Sequence, residues 1–276
     1  MSIPKDIIRG HKSLDEWAIL SAYRGSIAHG LYVPSTDPNS VDDKDIMAVC
    51  VPPIDYYFGL KQFGHLGTQE IKHDEWDIVV YEAKKFISLL ANGNPNVLML
   101  LWLKQNYYLK KTAAGQLIIT HRRVFVGRHV YRSFTGYAYG QLHRMTRFEF
   151  QGHMGEKRKA LVEKYGYDCK NAAHLIRLLR MGMEFLKDGE LYVDRGNIDA
   201  PQLLEIKRGE WTLDQVKAEA GKGFALAEQA YLNSTLPTGP DHDMINRLSI
   251  DVIETALHEI HYTKKEVDDG KEKDQC

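Results

Sequence analysis

Over the first hundred residues the apolar positions fall in short, nearly unbroken runs, and from about residue 105 onward they recur at helical spacing. Residues 20–23 read as a strand running into the small-residue turn Arg24-Gly25-Ser26. Residues 45–51 form a continuous apolar run ended by Pro52-Pro53, as expected of a strand covered on both faces. Residues 76–81 are β-branched and aromatic apart from Asp77 and predict a third strand. Between these lie a short helix or lead-in at 14–19, a turn-rich exposed loop at 34–40, and a loop with short pieces of structure at 54–67. Residues 82–91 have helical spacing and stop at Asn92-Gly93, after which Asn94-Pro95 restarts a helix carrying Val97, Leu98, Leu100, Leu101 and Trp102.

The later part predicts helices at 113–126, 128–150, 156–165, 168–186, 201–206, 213–232 and 241–262. Asp188-Gly189 should stop the helix over 168–186, and Thr212 should cap the helix over 213–232. The class is therefore α+β: a small sheet with helices over residues 1–104, an all-α unit over 105–263, and a charged, disordered tail over 264–276.

Composition sharpens this picture only through its distribution. The 276 residues carry 36 Lys and Arg against 37 Asp and Glu, a net charge of −1. Between Lys104 and Arg180, however, 16 basic residues face 4 acidic ones. The remainder, 36 − 16 and 37 − 4, holds 20 basic and 33 acidic residues. A basic middle suits a polyanionic partner; helices with solvated basic faces are the open alternative. Cys50, Cys169 and Cys276 share no metal or disulfide spacing. No basic-then-apolar leader opens the chain, and no apolar run approaches the roughly 18 residues of a membrane helix. The expected location is cytoplasmic.

The candidate chemistry starts at Gly25 and Ser26, where a small-residue turn entering a helix lets backbone N–H groups approach a phosphate. Asp43 and Asp45 follow at i and i+2, so on one strand they share a face while Lys44 points opposite. Carboxylates fixed side by side repel unless a cation sits between them, which makes a divalent metal the natural third party. Asp77, embedded in apolar neighbours, needs a metal, a base or a surface position; if its strand lies beside that of Asp45, it completes a three-carboxylate cluster. On the 168–186 helix, Lys170, His174, Arg177 and Met181 fall at i, i+4, i+7 and i+11 as one stripe, with Leu175, Leu178, Leu179 and Met183 largely on other faces. That stripe either grips phosphates from across a cleft or is a solvated face.

These residues resemble the DNA polymerase beta nucleotidyltransferase superfamily. More narrowly, Arg24-Gly25-Ser26 with Ala28-x-Gly30, the run from Val80 to Phe86, Gly93-Asn94-Pro95-Asn96-Val97-Leu98, the run from His174 to Arg180 and that from Glu205 to Trp211 are similar to a branch of predicted nucleotidyltransferases in bacteria and phages. The resemblance spans roughly residues 20–215 and implies a polymerase-beta-like domain followed by helices. It also implies transfer of a nucleoside monophosphate from a nucleoside triphosphate to a hydroxyl acceptor, with release of pyrophosphate. In that reading Asp43, Asp45 and Asp77 are catalytic and bind two Mg2+ ions, Mn2+ being an alternative, and Asp77 also helps to activate the acceptor. Arg24, Gly25, Ser26, Lys170, His174 and Arg177 bind the nucleotide. RNA is the favoured acceptor because tyrosines 107, 108, 131, 137 and 139 interleave the basic middle and would stack bases, the alternative being that tyrosines at this helical spacing are core or half-buried. Two departures from the pattern stand out: residues 38–41 look like an insertion, and Lys44 occupies a position that is commonly apolar. The insertion leaves Asp42 as an alternative to Asp43, although only Asp43 shares a strand face with Asp45. The competing expectation is a non-catalytic nucleotide- or nucleic-acid-binding module on the same scaffold.

Overall fold

In the computed structural model, which describes residues 3–34, 36–37, 40, 42–146 and 156–273, five strands make one sheet. They are β1 (Ala18–Tyr23), β2 (Lys44–Cys50), β3 (Thr68–His73), β4 (Trp76–Glu82) and β5 (Tyr108–Lys111), ordered β3-β4-β2-β1-β5. Only β2 and β4 run parallel; the other neighbours are antiparallel. Short helices α1 (Lys5–Gly10), α2 (Gly25–Ala28), α3 (Ala83–Ala91), α4 (Pro95–Leu98) and α5 (Ala113–Thr120) punctuate the strands. Longer ones follow: α6 (Val130–Thr146), α7 (Glu156–Tyr165), α8 (Cys169–Asp188), α9 (Ala200–Lys207), α10 (Leu213–Asn233) and α11 (His242–Lys273). The fold is α+β, as the periodicity predicts.

The unbroken apolar run of β2 has a direct cause, since both faces of that strand are covered. Met47 and Val49, with Val79 of β4, join the large core made with the helices, whereas Ile46, Ala48 and Cys50, with Ile78 and Val80, meet Ile3, Ile7 and Leu14 on the other side. Each fully buried Val, Ile, Leu or Met among them contributes roughly 1.5–3 kcal/mol. The helix-side core is continuous from Ile19 to Ala256 and passes through α8, which packs on α6, α9 and α10. Asp168 caps α8 by accepting from the Asn171 N–H at 3.1 Å, and Gly189 ends it in the left-handed conformation at φ +67°. Thr212 and Gln215 form a capping box at the start of α10.

Three differences from the sequence expectation are instructive. Strand β3 is missed because its exposed edge position leaves it mostly polar, with only Ile71 buried. Strand β5 is short and carries two lysines, yet it pairs with β1, so the sheet extends past residue 104. The last helix runs on through the charged stretch to Lys273. Residues 147–150, expected to end the 128–150 helix, lie outside the described residues, as does Cys276.

Candidate active site

The parallel pairing of β2 with β4 brings the two strand-borne carboxylates together. Asp45 stands opposite Asp77 in the ladder. Both share the alternation of Met47 and Val79, hence the helix-covered face, at the strand starts where apolar side chains give way to aspartate. Asp43, one residue before β2, is exposed and lines the same cavity, of about 370 Å3. Lys44 faces away: it pairs with Glu75 and lies 5.1 Å from the Trp76 ring centroid, so the cavity is not plugged by it. Burial raises the Asp45 pKa, the nearby charges of Asp77 and Asp43 add to that rise, and Arg24 and Lys170 oppose it.

The turn after β1 closes over this pair. Gly25 adopts φ +61°, and a Cβ there would fall 2.2 Å from Asp45 Oδ2, so both the backbone angle and the close approach require glycine. Arg24 places Nη2 3.6 Å from a carboxylate oxygen of Asp45 and 3.6 Å from one of Asp77. These separations are ion pairs, longer than hydrogen bonds. The buried Nε of Arg24 and the buried Oγ of Ser26 have no hydrogen-bond partner among the described residues.

The opposite wall is basic. Lys170, His174 and Arg177 of α8 all line the cavity, joined by Lys207 at the end of α9. Lys207 Nζ donates to the Leu31 carbonyl at 2.8 Å and to Asp42. Burial lowers its pKa, and the charge of Asp42 works against that. The Asp42 side chain is fully buried, accepts from the Val33 N–H at 2.9 Å, and lies 3.5 Å from Lys170 Nζ. Asp42 is thus committed to the basic wall, and Asp43 is the residue that lines the acidic one.

Arg177 is buried without a carboxylate in ion-pair range among the described residues. Its Nη1 donates to His29 Nε2 and lies 3.5 Å from Met181 Sδ. Burial, then the charge of Arg195, pushes its pKa down to about 9. His29 Nδ1 sits 2.8 Å from the Val193 carbonyl, which can only accept, so Nδ1 carries the proton and Nε2 is free to receive Arg177. Burial first and Arg177 second hold His29 well below its ordinary pKa, keeping it neutral. A buried guanidinium lacking a counter-ion is costly and is relieved by an incoming anion.

The carboxylates suit a hard divalent cation by donor type, and the Arg24 guanidinium already stands as a positive charge beside the Asp45–Asp77 pair. Among the described residues, no three His, Cys, Asp or Glu side chains converge closely enough to enclose an ion. The structure gathers two carboxylates and leaves the third exposed on the same cavity.

The family model for RlaP, described as the RNA repair pathway DNA polymerase beta family, matches residues 11–251. The chain belongs to this family. No curated protein matches it. A solved structure described as a nucleotidyltransferase-like protein from Exiguobacterium sibiricum 255-15 is similar at 10% identity, covering 92% of this chain and 73% of that one with a TM-score of 0.29. That likeness is too slight to bear on fold or activity. No helix among the described residues is long and apolar enough to cross a membrane.

Sequence reasoning overlooks His29, Lys207 and the inward role of Asp42 in this RlaP-family member. The histidine sits inside the quoted Ala28-x-Gly30 segment and the lysine inside the Glu205–Trp211 segment, so both were visible as motif positions without a role. Of the five tyrosines expected to offer a stacking surface, Tyr137 lines the cavity, 5.7 Å from the His174 ring. Tyr139 is exposed, Tyr131 stacks on Tyr231, the Tyr108 hydroxyl donates to the Leu100 carbonyl, and Tyr107 packs against the core.

Proposed function

We propose that this chain is a divalent-metal-dependent nucleotidyltransferase that moves a nucleoside monophosphate from a nucleoside triphosphate to a hydroxyl of RNA and releases pyrophosphate. The observation that carries the reading is the polarity of one cavity: in-register carboxylates on the sheet wall face a buried, carboxylate-free Arg177 on the helix wall. In this reading the sheet-bearing part supplies the acids and the helical part the cations. An RNA acceptor is supported by the RNA repair description of the family and by Tyr137, whose ring is placed on the cavity for a base.

Asp45 and Asp77 would hold Mg2+, with Mn2+ as a substitute, and the exposed Asp43 would join them from the same cavity; bound there, the metal would offset negative charge on the transferring phosphoryl group. Arg177, Lys170 and His174 bind and orient the triphosphate, and the Gly25–Ser26 turn brings backbone N–H groups and the Ser26 hydroxyl against it. Asp77 accepts the proton of the attacking hydroxyl. As the new oxygen–phosphorus bond forms at the α-phosphorus, the bond to pyrophosphate breaks, and the leaving charge is met by the basic wall.

Incubation with α-labelled nucleoside triphosphates, Mg2+ and RNA should yield a labelled covalent product, and Asp45→Asn should abolish it while leaving the fold intact. Incorporation that persists in that variant overturns the assignment. One observation favours the second reading, a non-catalytic binding module: Arg24 already neutralises Asp45 and Asp77 as a brace. Under that reading no covalent product forms, and RNA affinity falls steeply with salt while responding little to Mg2+.

A further inference from the structure

The Asp45–Asp77 pair is not left as two bare carboxylates, and the group that neutralises it is held in an unusual way. Arg24 comes from the end of β1, directly before Gly25, and its Nη2 is equidistant from the two acids at 3.6 Å each. Neither contact is short enough to be a hydrogen bond, and the buried Nε of the same guanidinium has no hydrogen-bond partner among the described residues. An arginine that served only as a brace would be expected to spend its planar fork on one carboxylate, in the manner of Arg195, which donates Nη1 and Nη2 to Glu184 at 2.5 and 2.9 Å. Arg24 instead contributes charge to both acids with its donors largely unspent.

We propose that Arg24 is a resident counter-ion of this site: its single charge offsets part of that on Asp45 and Asp77 until a divalent cation enters, and it then swings to the substrate phosphates. The inference rests on the metal-dependent reading of the same cavity. Its physical content is an exchange. A divalent cation makes direct bonds to carboxylate oxygens, which the arginine does not, so it displaces the guanidinium. The displaced fork, two residues from Ser26 and on the same cavity, matches the geometry of phosphate oxygens. Metal entry and phosphate binding then favour each other, because each vacates or fills a position the other needs.

The test is a Mn2+ titration followed by electron paramagnetic resonance, with the full chain and no turnover. In the absence of any phosphate, Arg24→Gln should bind Mn2+ about tenfold or more tightly than the wild type, the lower end of what one adjacent opposite charge does to a carboxylate. Arg24→Lys, which keeps the charge, should stay near the wild-type value. Adding inorganic triphosphate should tighten Mn2+ binding in the wild type and do so far less in Arg24→Gln. Thermal melting of each variant checks that the fold is kept. Equal or weaker Mn2+ binding by a folded Arg24→Gln, alongside binding that Asp45→Asn abolishes, overturns this inference alone. Binding of Mn2+ by none of the proteins overturns the metal-dependent reading and this inference with it.

Discussion

Gly25→Ala separates two costs that the structure states independently. An alanine at φ +61° occupies the left-handed region, at about 1–2 kcal/mol. At roughly 2–4 °C of Tm per kcal/mol, that strain alone should lower Tm by roughly 2–8 °C. The second cost falls on the site: the new Cβ would lie 2.2 Å from Asp45 Oδ2 and 2.9 Å from its Cγ, where ordinary contact begins at 3.4 Å. The carboxylate must retreat by about 1 Å, and a displacement of that size costs about a hundredfold in rate. Circular dichroism melts and labelled-nucleotide incorporation measure the two effects separately. A double-mutant cycle with Asp45→Ala isolates the clash with the carboxylate, since its removal leaves the backbone strain and a Cβ–Cβ contact of 3.2 Å. Incorporation within about threefold of wild type would refute the reasoning at the magnitude used; an equal stability loss in the two backgrounds would refute the clash.

Further outcomes follow from the basic wall. Arg177→Met removes a buried cation that has no carboxylate partner but leaves the buried His29 Nε2 without its donor, two effects of opposite sign, so stability should fall by no more than about 1–3 kcal/mol; calorimetric titration should show pyrophosphate affinity falling by roughly tenfold to a hundredfold, the worth of a charged hydrogen bond, and unchanged affinity would count against a phosphate role. Asp42→Asn leaves the buried Lys207 without its counter-ion and should cost about 3–5 kcal/mol in urea unfolding, with a loss below about 1 kcal/mol contradicting the pairing. His29 is held neutral when folded, its pKa depressed by burial, whereas the unfolded chain takes up a proton below about pH 6.5. Its contribution to stability is therefore present above pH 6.5 and declines on acidification toward the depressed folded value, by up to about 1.4 kcal/mol per pH unit. Urea unfolding at pH 7 and pH 5 should show this loss in the wild type and a smaller one in His29→Gln; equal losses would exclude His29 as the source.

Much of this site was legible because alternation along a strand is local information. Asp45 and Asp77 each stand second in a mostly apolar strand, half-buried just before Met47, Val49 and Val79 enter the core, which makes the carboxylates conspicuous in sequence. The helical spacing of Lys170, His174 and Arg177 likewise places them on one wall. What periodicity cannot carry is the identity of long-range partners. Lys207 lies 165 positions from Asp42, and Arg177 lies 148 positions from His29, so neither pair leaves a local pattern. Strands β3 and β5 were missed for a related reason: at the two edges of the sheet they bury little, and pairing with β4 and β1 rather than their own composition makes them strands.

The neighbours Asp42 and Asp43 divide between the two walls of the cavity. Asp42 turns inward, held by the Val33 N–H and by Lys207, which also binds the Leu31 carbonyl. These contacts tie the segment after α2, the start of β2 and the end of α9 to one buried carboxylate. Side-chain direction alternates along a strand, so a slip of one residue in β2 would place Lys44 or Ile46 opposite Asp77. Lys44 there would set an ammonium against the carboxylate, and Ile46 would remove the second acid altogether. The buried Asp42–Lys207 pair fixes the chain three residues before Asp45, so an aspartate outside the acidic wall bears on where that wall begins.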